Sequence, residues 1–209
     1  MVVIDVIRAF SVSAYALSAG AVECRLVAEV QEALAFAARV QGAVVSAEVD
    51  GLPVEGIPIS NSPTMVLEAD LRGRTLVQRS SSGTQGAVAA ASADRLFAGS
   101  LVVASAAVRA IRAEAPDLVT LVATGDDRGH PEDRACAVYL EGLLQGSPPD
   151  LEELLQPLYA TRRYRDFIDG RWPGFPVSDA ELCLAVDRFD FAMPVVRDPL
   201  GLRLTALAV

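Results

Sequence analysis

Short apolar runs separated by stretches of helical spacing order this chain into a β/α succession. Val2-Val3-Ile4-Asp5 is an apolar run that ends in a carboxylate and reads as the first core strand. It starts so close to the first residue that a short upstream segment is expected to precede it. Residues 6–9 lead into a small-residue helix near 11–19, closed by Gly20. A second strand is expected over 23–29, with Arg25-Leu26-Val27-Ala28 at its centre. A helix over 30–41 follows, with Leu34, Ala37 and Ala38 on one face and Gly42 at its end. Residues 43–47 form a third strand, and Asp50-Gly51 marks a turn. Thr75-Leu76-Val77 reads as a buried strand, with a helix starting near Ala87. Strands are then expected at 100–104 and 116–123, the second being the most apolar of all. Helices are expected at 106–114 and from Pro131 through 144.

The remainder holds helical segments at 152–158 and 178–186, and Ser178 and Glu181 have the spacing of a capping box. Residues 161–169 are charged and read as exposed. Residues 193–196 and 202–207 read as two strands joined by the hairpin turn Asp198-Pro199-Leu200-Gly201. The pattern predicts an α/β protein with a mainly parallel β-sheet and helices on both faces, in three layers. It fits a single domain over 1–209, or two subdomains, 1–145 and 146–209.

Four polar loops interrupt this succession. Ser80-Ser81-Ser82-Gly83-Thr84-Gln85-Gly86 follows a strand and enters a helix. Free N–H groups and the positive end of a helix dipole make such a loop a place to hold an anion, with Arg79 able to add a bidentate contact. The competing reading is a plain strand-to-helix turn with a Ser or Thr cap. Asp5 and Arg8 stand where the first strand hands over to its helix, the edge at which open α/β sheets bind ligands. Asp5 as an N-cap and Arg8 as a surface residue is an equal alternative, but an acid ending a buried strand needs a partner. In Ser60-Asn61-Ser62-Pro63, Ser62 suits an N-cap and Pro63 the first helical position. Asn61 is placed to bond a ligand or to shape the turn. The loop 123–133 is dense in carboxylates. Glu132 and Asp133 fit the first turn of a helix, Asp126 and Asp127 fit a solvated turn, and His130 fits a loop hydrogen-bonder.

Composition then narrows the chemistry. At 209 residues and 52% hydrophobic, the chain can bury a substantial core. A net charge of −9 argues against nucleic acid and anionic membranes, and no apolar run reaches the length of a membrane span. Asp5 and Arg8 interrupt the N-terminal apolar part, so it does not read as a secretion signal. Cys24, Cys136 and Cys183 are odd in number and widely spaced, as expected of buried thiols in a reducing cytoplasm. All 18 basic residues are arginine. Without lysine there is no Schiff-base chemistry and no Walker lysine. His130 is the only histidine, which excludes histidine-rich metal sites and a phosphohistidine route. No cysteine has an arginine six positions on, and Ile7 stands two places after Asp5, so cysteine-phosphatase and haloacid-dehalogenase signatures are absent.

Four stretches, in this order, resemble the 2-phosphosulfolactate phosphatase (ComB-like) family. They are Val3-Ile4-Asp5-Val6-Ile7-Arg8-Ala9, Ser60-Asn61-Ser62-Pro63, the loop 80–84 and Glu132-Asp133-Arg134-Ala135-Cys136-Ala137. The tail agrees more loosely through Gly174, Asp179, Cys183 and Pro194. The resemblance implies a magnesium-dependent phosphatase, a substrate with a phosphate ester beside a carboxylate and a sulfonate, and a role in coenzyme M biosynthesis. Within it, Asp5, Glu132 and Asp133 are the expected Mg²⁺ ligands, direct or through water. Asp5, Arg8, Glu132 and Asp133 form the expected catalytic set, and Asn61, Ser62, Ser81, Ser82, Gly83 and Thr84 the substrate contacts. The chain departs from the family where Ser81-Ser82-Gly83-Thr84 replaces the usual Thr-Asn-Gly-Thr, where Ala123-Thr124-Gly125 replaces Cys-Ala-Gly, and where the first helix has Phe10-Ser11-Val12-Ser13 at positions at which the family favours threonines. The alternatives are a non-catalytic binding protein for an acidic phosphometabolite and a structural subunit. An apolar, alanine-rich chain of this kind also suits a homodimer.

Overall fold

The computed structural model of the protein describes residues 1–125 and 129–209. Its main sheet has nine strands: β1 (Val2–Ile4), β2 (Glu23–Leu26), β3 (Val44–Val49), β4 (Leu52–Pro53), β5 (Thr75–Arg79), β6 (Leu96–Gly99), β7 (Leu121–Ala123), β9 (Pro194–Asp198) and β10 (Gly201–Leu204). A separate two-strand ribbon pairs β8 (Phe191–Ala192) with β11 (Leu207–Ala208). The order across the main sheet is β4-β3-β5-β2-β10-β9-β6-β1-β7. β3, β5 and β2 are mutually parallel, and so are β6, β1 and β7. Between the two sets lies the β9–β10 hairpin, antiparallel to β6 on one side and to β2 on the other.

The sheet is therefore mixed, not mainly parallel. The hairpin turn at 198–201 was legible, but its insertion into the middle of the sheet was not. Three successive antiparallel pairings make the two parallel sets run in opposite senses. The residues that follow β1 and β5 nevertheless meet at one cleft, where Asp5 accepts the Gly83 N–H at 2.8 Å.

Helices flank the sheet: α1 (Ala9–Ser18), α2 (Val30–Arg39), α3 (Pro63–Glu68), α4 (Gly83–Ala89), α5 (Ala104–Ala113), α6 (Pro131–Gln145), α7 (Leu151–Tyr159), α8 (Arg162–Ile168) and α9 (Ser178–Leu184). Every residue of α1 but Ser18 is buried, so its small residues are a packing requirement on all faces. Its buried hydroxyls are satisfied: Ser11 donates to the Val6 carbonyl at 2.7 Å and Ser13 to Gln78 Oε1 at 2.6 Å. β1 divides the core by strand alternation. Val3 packs with Phe10, Leu76 and Leu204, while Val2 and Ile4 pack with Phe97, Leu101 and Leu140.

Several boundaries differ from expectation. The sixth strand is Leu96–Gly99, and the apolar run Leu101–Val103 is a 3₁₀ turn entering α5. Gly99 belongs in the strand because an added Cβ would lie 2.8 Å from Val2 Cγ1. β7 is an edge strand of three half-buried residues, and Leu118 before it is 80% exposed. Residues 161–169 include helix α8, capped by Thr161 and anchored by buried Phe167. Ser178 and Glu181 form no capping box, since α9 starts after Val177 and the Ser178 hydroxyl pairs with that of Thr64. A capping box does form in α2, between Glu29 and Glu32. Cys24, Cys136 and Cys183 are all buried and unpaired. Among the described residues, no helix is long and apolar enough to cross a membrane.

Candidate active site

Asp5 leaves the end of β1 directly into the entrances of two helices. Its Oδ1 accepts the Ala9 N–H of α1 at 2.9 Å, and its Oδ2 accepts the Gly83 N–H of α4 at 2.8 Å. The carboxylate thus occupies the positive ends of both helices, where a negative group is stabilised. Gly83 has to be glycine, because an added Cβ would lie 2.8 Å from both Asp5 Oδ2 and Ala9 Cβ. Asp5 is not the N-cap, a position Arg8 takes, but its carboxylate accepts the first N–H of α1 and faces a cavity of about 310 Å³.

The polar loop between β5 and α4 turns out to be largely self-satisfied. The Gly83 N–H is taken by Asp5. Thr84 is fully buried: its hydroxyl accepts the Ser80 N–H at 2.8 Å and donates to the Ser80 carbonyl at 2.9 Å. Ser81 donates its N–H and its hydroxyl to Glu48. Arg79 braces the loop from behind, donating to the carbonyls of Ala28 and Glu48 and to Ser81 Oγ, and does not line the cavity. Ser81 and Ser82 do line it. Glu48, at the end of β3, is 5% exposed and also faces the cavity. Sequence reading missed it, because a charge near a strand end has an ordinary solvent-facing explanation.

Asn61 lines the cavity in a left-handed backbone conformation (φ 50°) that asparagine tolerates better than most residues. Its Oδ1 accepts from Gln78 Nε2 at 2.9 Å. Gln78 also donates to the Ala9 carbonyl at 2.7 Å and accepts from Ser13, so this network fixes the orientation of the Asn61 amide, whose NH₂ has no hydrogen-bond partner among the described residues. Ser62 turns away: it caps α3 by accepting the Met65 N–H at 3.2 Å and donates to Asp179 Oδ1 at 2.9 Å.

Glu132 and Asp133 begin α6 and are 0% and 1% exposed. They stand behind the cavity wall. Asp133 accepts the Val6 N–H at 2.7 Å and the Gly125 N–H at 3.0 Å, clamping the loop after β1 to the loop after β7. Glu132 Oε1 pairs at 2.9 Å with Arg163 of α8, which does line the cavity. Glu132 Oε2 is buried with no partner among the described residues. Asp126 and Asp127 of the same loop lie outside the described residues.

Arg8 is almost fully buried and lines the opposite wall. Its Nη1 donates to Asp179 Oδ2 at 2.9 Å and to the Gly174 carbonyl at 2.8 Å, and the Phe175 ring covers its face 3.4 Å from Cζ. Trp172 and Phe175 complete this wall. Asp179 matched only a loose tail resemblance, and its position in the first turn of α9 hid its role.

Acidic crowding governs the electrostatics. Burial pushes the Asp5 carboxyl up to about 6, the two amide bonds oppose the shift, and Glu48 and Glu132 add to it. Burial, then repulsion from Asp5 and Glu132, holds Asp133 well above the carboxylate range. Burial raises Glu132 too, against the pull of Arg163.

An α/β scaffold that directs buried carboxylates and arginines at one small polar cavity suits a hydrolase of small anionic esters. The family model described as 2-phosphosulpholactate phosphatase matches residues 1–166. The chain belongs to this family of phosphoric monoester hydrolases. A probable 2-phosphosulfolactate phosphatase of Bacillus subtilis (strain 168) is 30% identical over 199 residues, covering 94% of this chain and 87% of that protein. A protein of the same description from Caldanaerobacter subterraneus subsp. tengcongensis is 30% identical over 204 residues, covering 91% and 85%. Another, from Carboxydothermus hydrogenoformans, is 36% identical over 145 residues, covering 69% of this chain and 60% of its own length.

Proposed function

We propose that the protein hydrolyses the phosphate monoester of a small hydroxy acid, 2-phosphosulfolactate, to sulfolactate and phosphate with the help of Mg²⁺. The observation that carries this reading is the Asp5 carboxylate, buried between two helix N-termini at a cavity of about 310 Å³ in a member of this phosphatase family. Overall, water adds to phosphorus, the P–O ester bond breaks with its electron pair on the hydroxy-acid oxygen, and that oxygen takes a proton from the water.

The fit of Mg²⁺ rests on charge. Asp5, Glu48 and Asp50 line the cavity beside Arg8 and Arg163, and both arginines are already paired with buried acids. A multiply anionic substrate entering such a site needs a cation with it. Among the described residues, no three His, Cys, Asp or Glu side chains form a ready metal cage. Mg²⁺ takes one or two carboxylates and fills the rest of its shell with water and substrate phosphate. Asp5 is the direct ligand in this reading, with Glu132 and Asp133 contributing through water or through their field. When bound, the ion would neutralise phosphoryl and leaving-oxygen charge. Arg8 supplies a fixed positive group to the phosphate ester, and the Asn61 amide and Ser82 hydroxyl orient it.

The test is phosphate release from a panel of small phosphorylated hydroxy acids, including 2-phosphosulfolactate, with and without Mg²⁺. Mg²⁺-dependent release from 2-phosphosulfolactate is expected. Tight binding of a phosphate ester without release, even with Mg²⁺, would instead favour the binding-protein reading.

Acidic crowding also fixes how stability follows pH. The Asp5 carboxyl rises from its ordinary 3.8 to about 6 on folding, and those of Glu132 and Asp133 rise with it. Across that interval the folded state binds more protons than the unfolded one, so stability falls as pH rises through about 6. The melting temperature of the metal-free protein is expected to drop between pH 5 and pH 7. Mg²⁺ should raise it more at pH 7 than at pH 5. A profile that is flat in pH, or insensitive to Mg²⁺ at pH 7, contradicts the charge argument.

A further inference from the structure

We propose that Asp179 is the positioning residue that aims Arg8 at the anionic substrate, so that the segment 174–179 sets the main arginine contact of the site. The inference rests on the hydrolase reading for the identity of the anion, but not for the geometry. The Arg8 side chain is 1% exposed and that of Asp179 is 0% exposed. A guanidinium at that depth requires a paired carboxylate, and Asp179 supplies it.

The pairing is one-sided. Arg8 Nη1 donates both to Asp179 Oδ2 and to the Gly174 carbonyl. Arg8 Nη2 is buried, has no acceptor among the described residues, and belongs to a side chain that lines the cavity. A buried donor without an acceptor is costly, and an oxyanion in the cavity would remove that cost. Phosphate or another oxyanion of the ester is the acceptor to which Nη2 can donate, through a charge-assisted bond.

The mount is also fixed in direction. Asp179 Oδ1 accepts from Ser62 Oγ at 2.9 Å, Thr64 N at 3.0 Å and Thr64 Oγ1 at 2.7 Å, so the carboxylate cannot turn away from Arg8. The Gly174 carbonyl is aimed by a backbone with φ 70°, and an added Cβ there would meet Pro53 Cγ at 2.4 Å. Phe175 closes the guanidinium face. The arginine therefore offers the cavity one edge in one orientation, which is the preorganisation an anion contact requires.

A double-mutant cycle tests this, read both as the Kd of inorganic phosphate by calorimetry and as kcat/KM for phosphate release. Asp179→Asn is expected to weaken phosphate binding and lower kcat/KM about ten- to hundredfold in the wild-type background. In an Arg8→Met background the same substitution is expected to cost almost nothing. An equal loss in both backgrounds would make Asp179 merely structural and overturn the proposal, as would no loss in the wild-type background. If Asp179→Asn fails to fold, Arg8→Lys decides. Lysine keeps a charge for Asp179 but has no second nitrogen, so phosphate affinity should fall about tenfold or more with the melting temperature retained. Unchanged affinity in Arg8→Lys refutes the role of Nη2. The binding arm is read even if the wild type releases no phosphate, so failure of the hydrolase reading remains distinct from failure of this one.

Discussion

Asp5→Asn is expected to lower kcat on 2-phosphosulfolactate on the order of a hundredfold or more. The substitution keeps the shape of the side chain but not its bonding. Both Asp5 oxygens accept backbone N–H groups, from Ala9 and from Gly83. An asparagine has one accepting oxygen, so its NH₂ must face one of those donors. The variant also loses the negative charge by which Asp5 would hold a cation beside the ester under the proposed function. Two effects then add in the same direction: a strained junction between Asp5 and the helix entrances it bonds, and weaker binding of the proposed cation. Steady-state kinetics at saturating Mg²⁺, with circular dichroism to show a folded protein, give the answer. Near-wild-type turnover in a folded variant would remove Asp5 from the mechanism.

Much of the framework around Asp5 was legible because its signals are local. An apolar run ending in an acid, Ser62 before Pro63, and the turn at 198–201 each depend on neighbours within a few residues, and β1, the α3 cap and the β9–β10 hairpin follow from them. The resemblance of the 1–145 region likewise rested on short motifs, and the family match covers it. What escaped notice depends on distant partners. The loop 80–84 reads as a phosphate cradle only until Asp5, 78 residues earlier in the chain, takes the Gly83 N–H. Glu48 acquires meaning only opposite Ser81, and Asp179 only opposite Arg8, 171 residues away. Arg163 sat in a stretch whose charge suggested solvent, yet it reaches a fully buried Glu132. The sheet order has the same origin, since nothing within the hairpin states which strands will flank it.

Asp133→Ala is expected to cost stability before it costs chemistry, lowering the melting temperature on the order of 10 °C. The aspartate accepts two buried N–H groups, from Val6 and Gly125. Each donor left without an acceptor costs about 1–3 kcal/mol, and 1 kcal/mol shifts the melting point of a chain this long by about 2–4 °C. An opposing effect exists, because removing Asp133 relieves its repulsion with Asp5 and Glu132, groups whose carboxyls burial already holds high. The hydrogen bonds win because they are short, direct and wholly buried, and the amides they satisfy belong to the loops on either side of the cleft. With the Val6 N–H released, the turn that carries Asp5 and Arg8 loses its anchor, so kcat/KM should fall as well. Asp133→Asn separates the contributions: it removes the charge but keeps one acceptor, and should retain about half the lost stability. An asparagine variant that melts with the wild type would show that one bond suffices, and the clamp between the β1 and β7 loops would have to be abandoned.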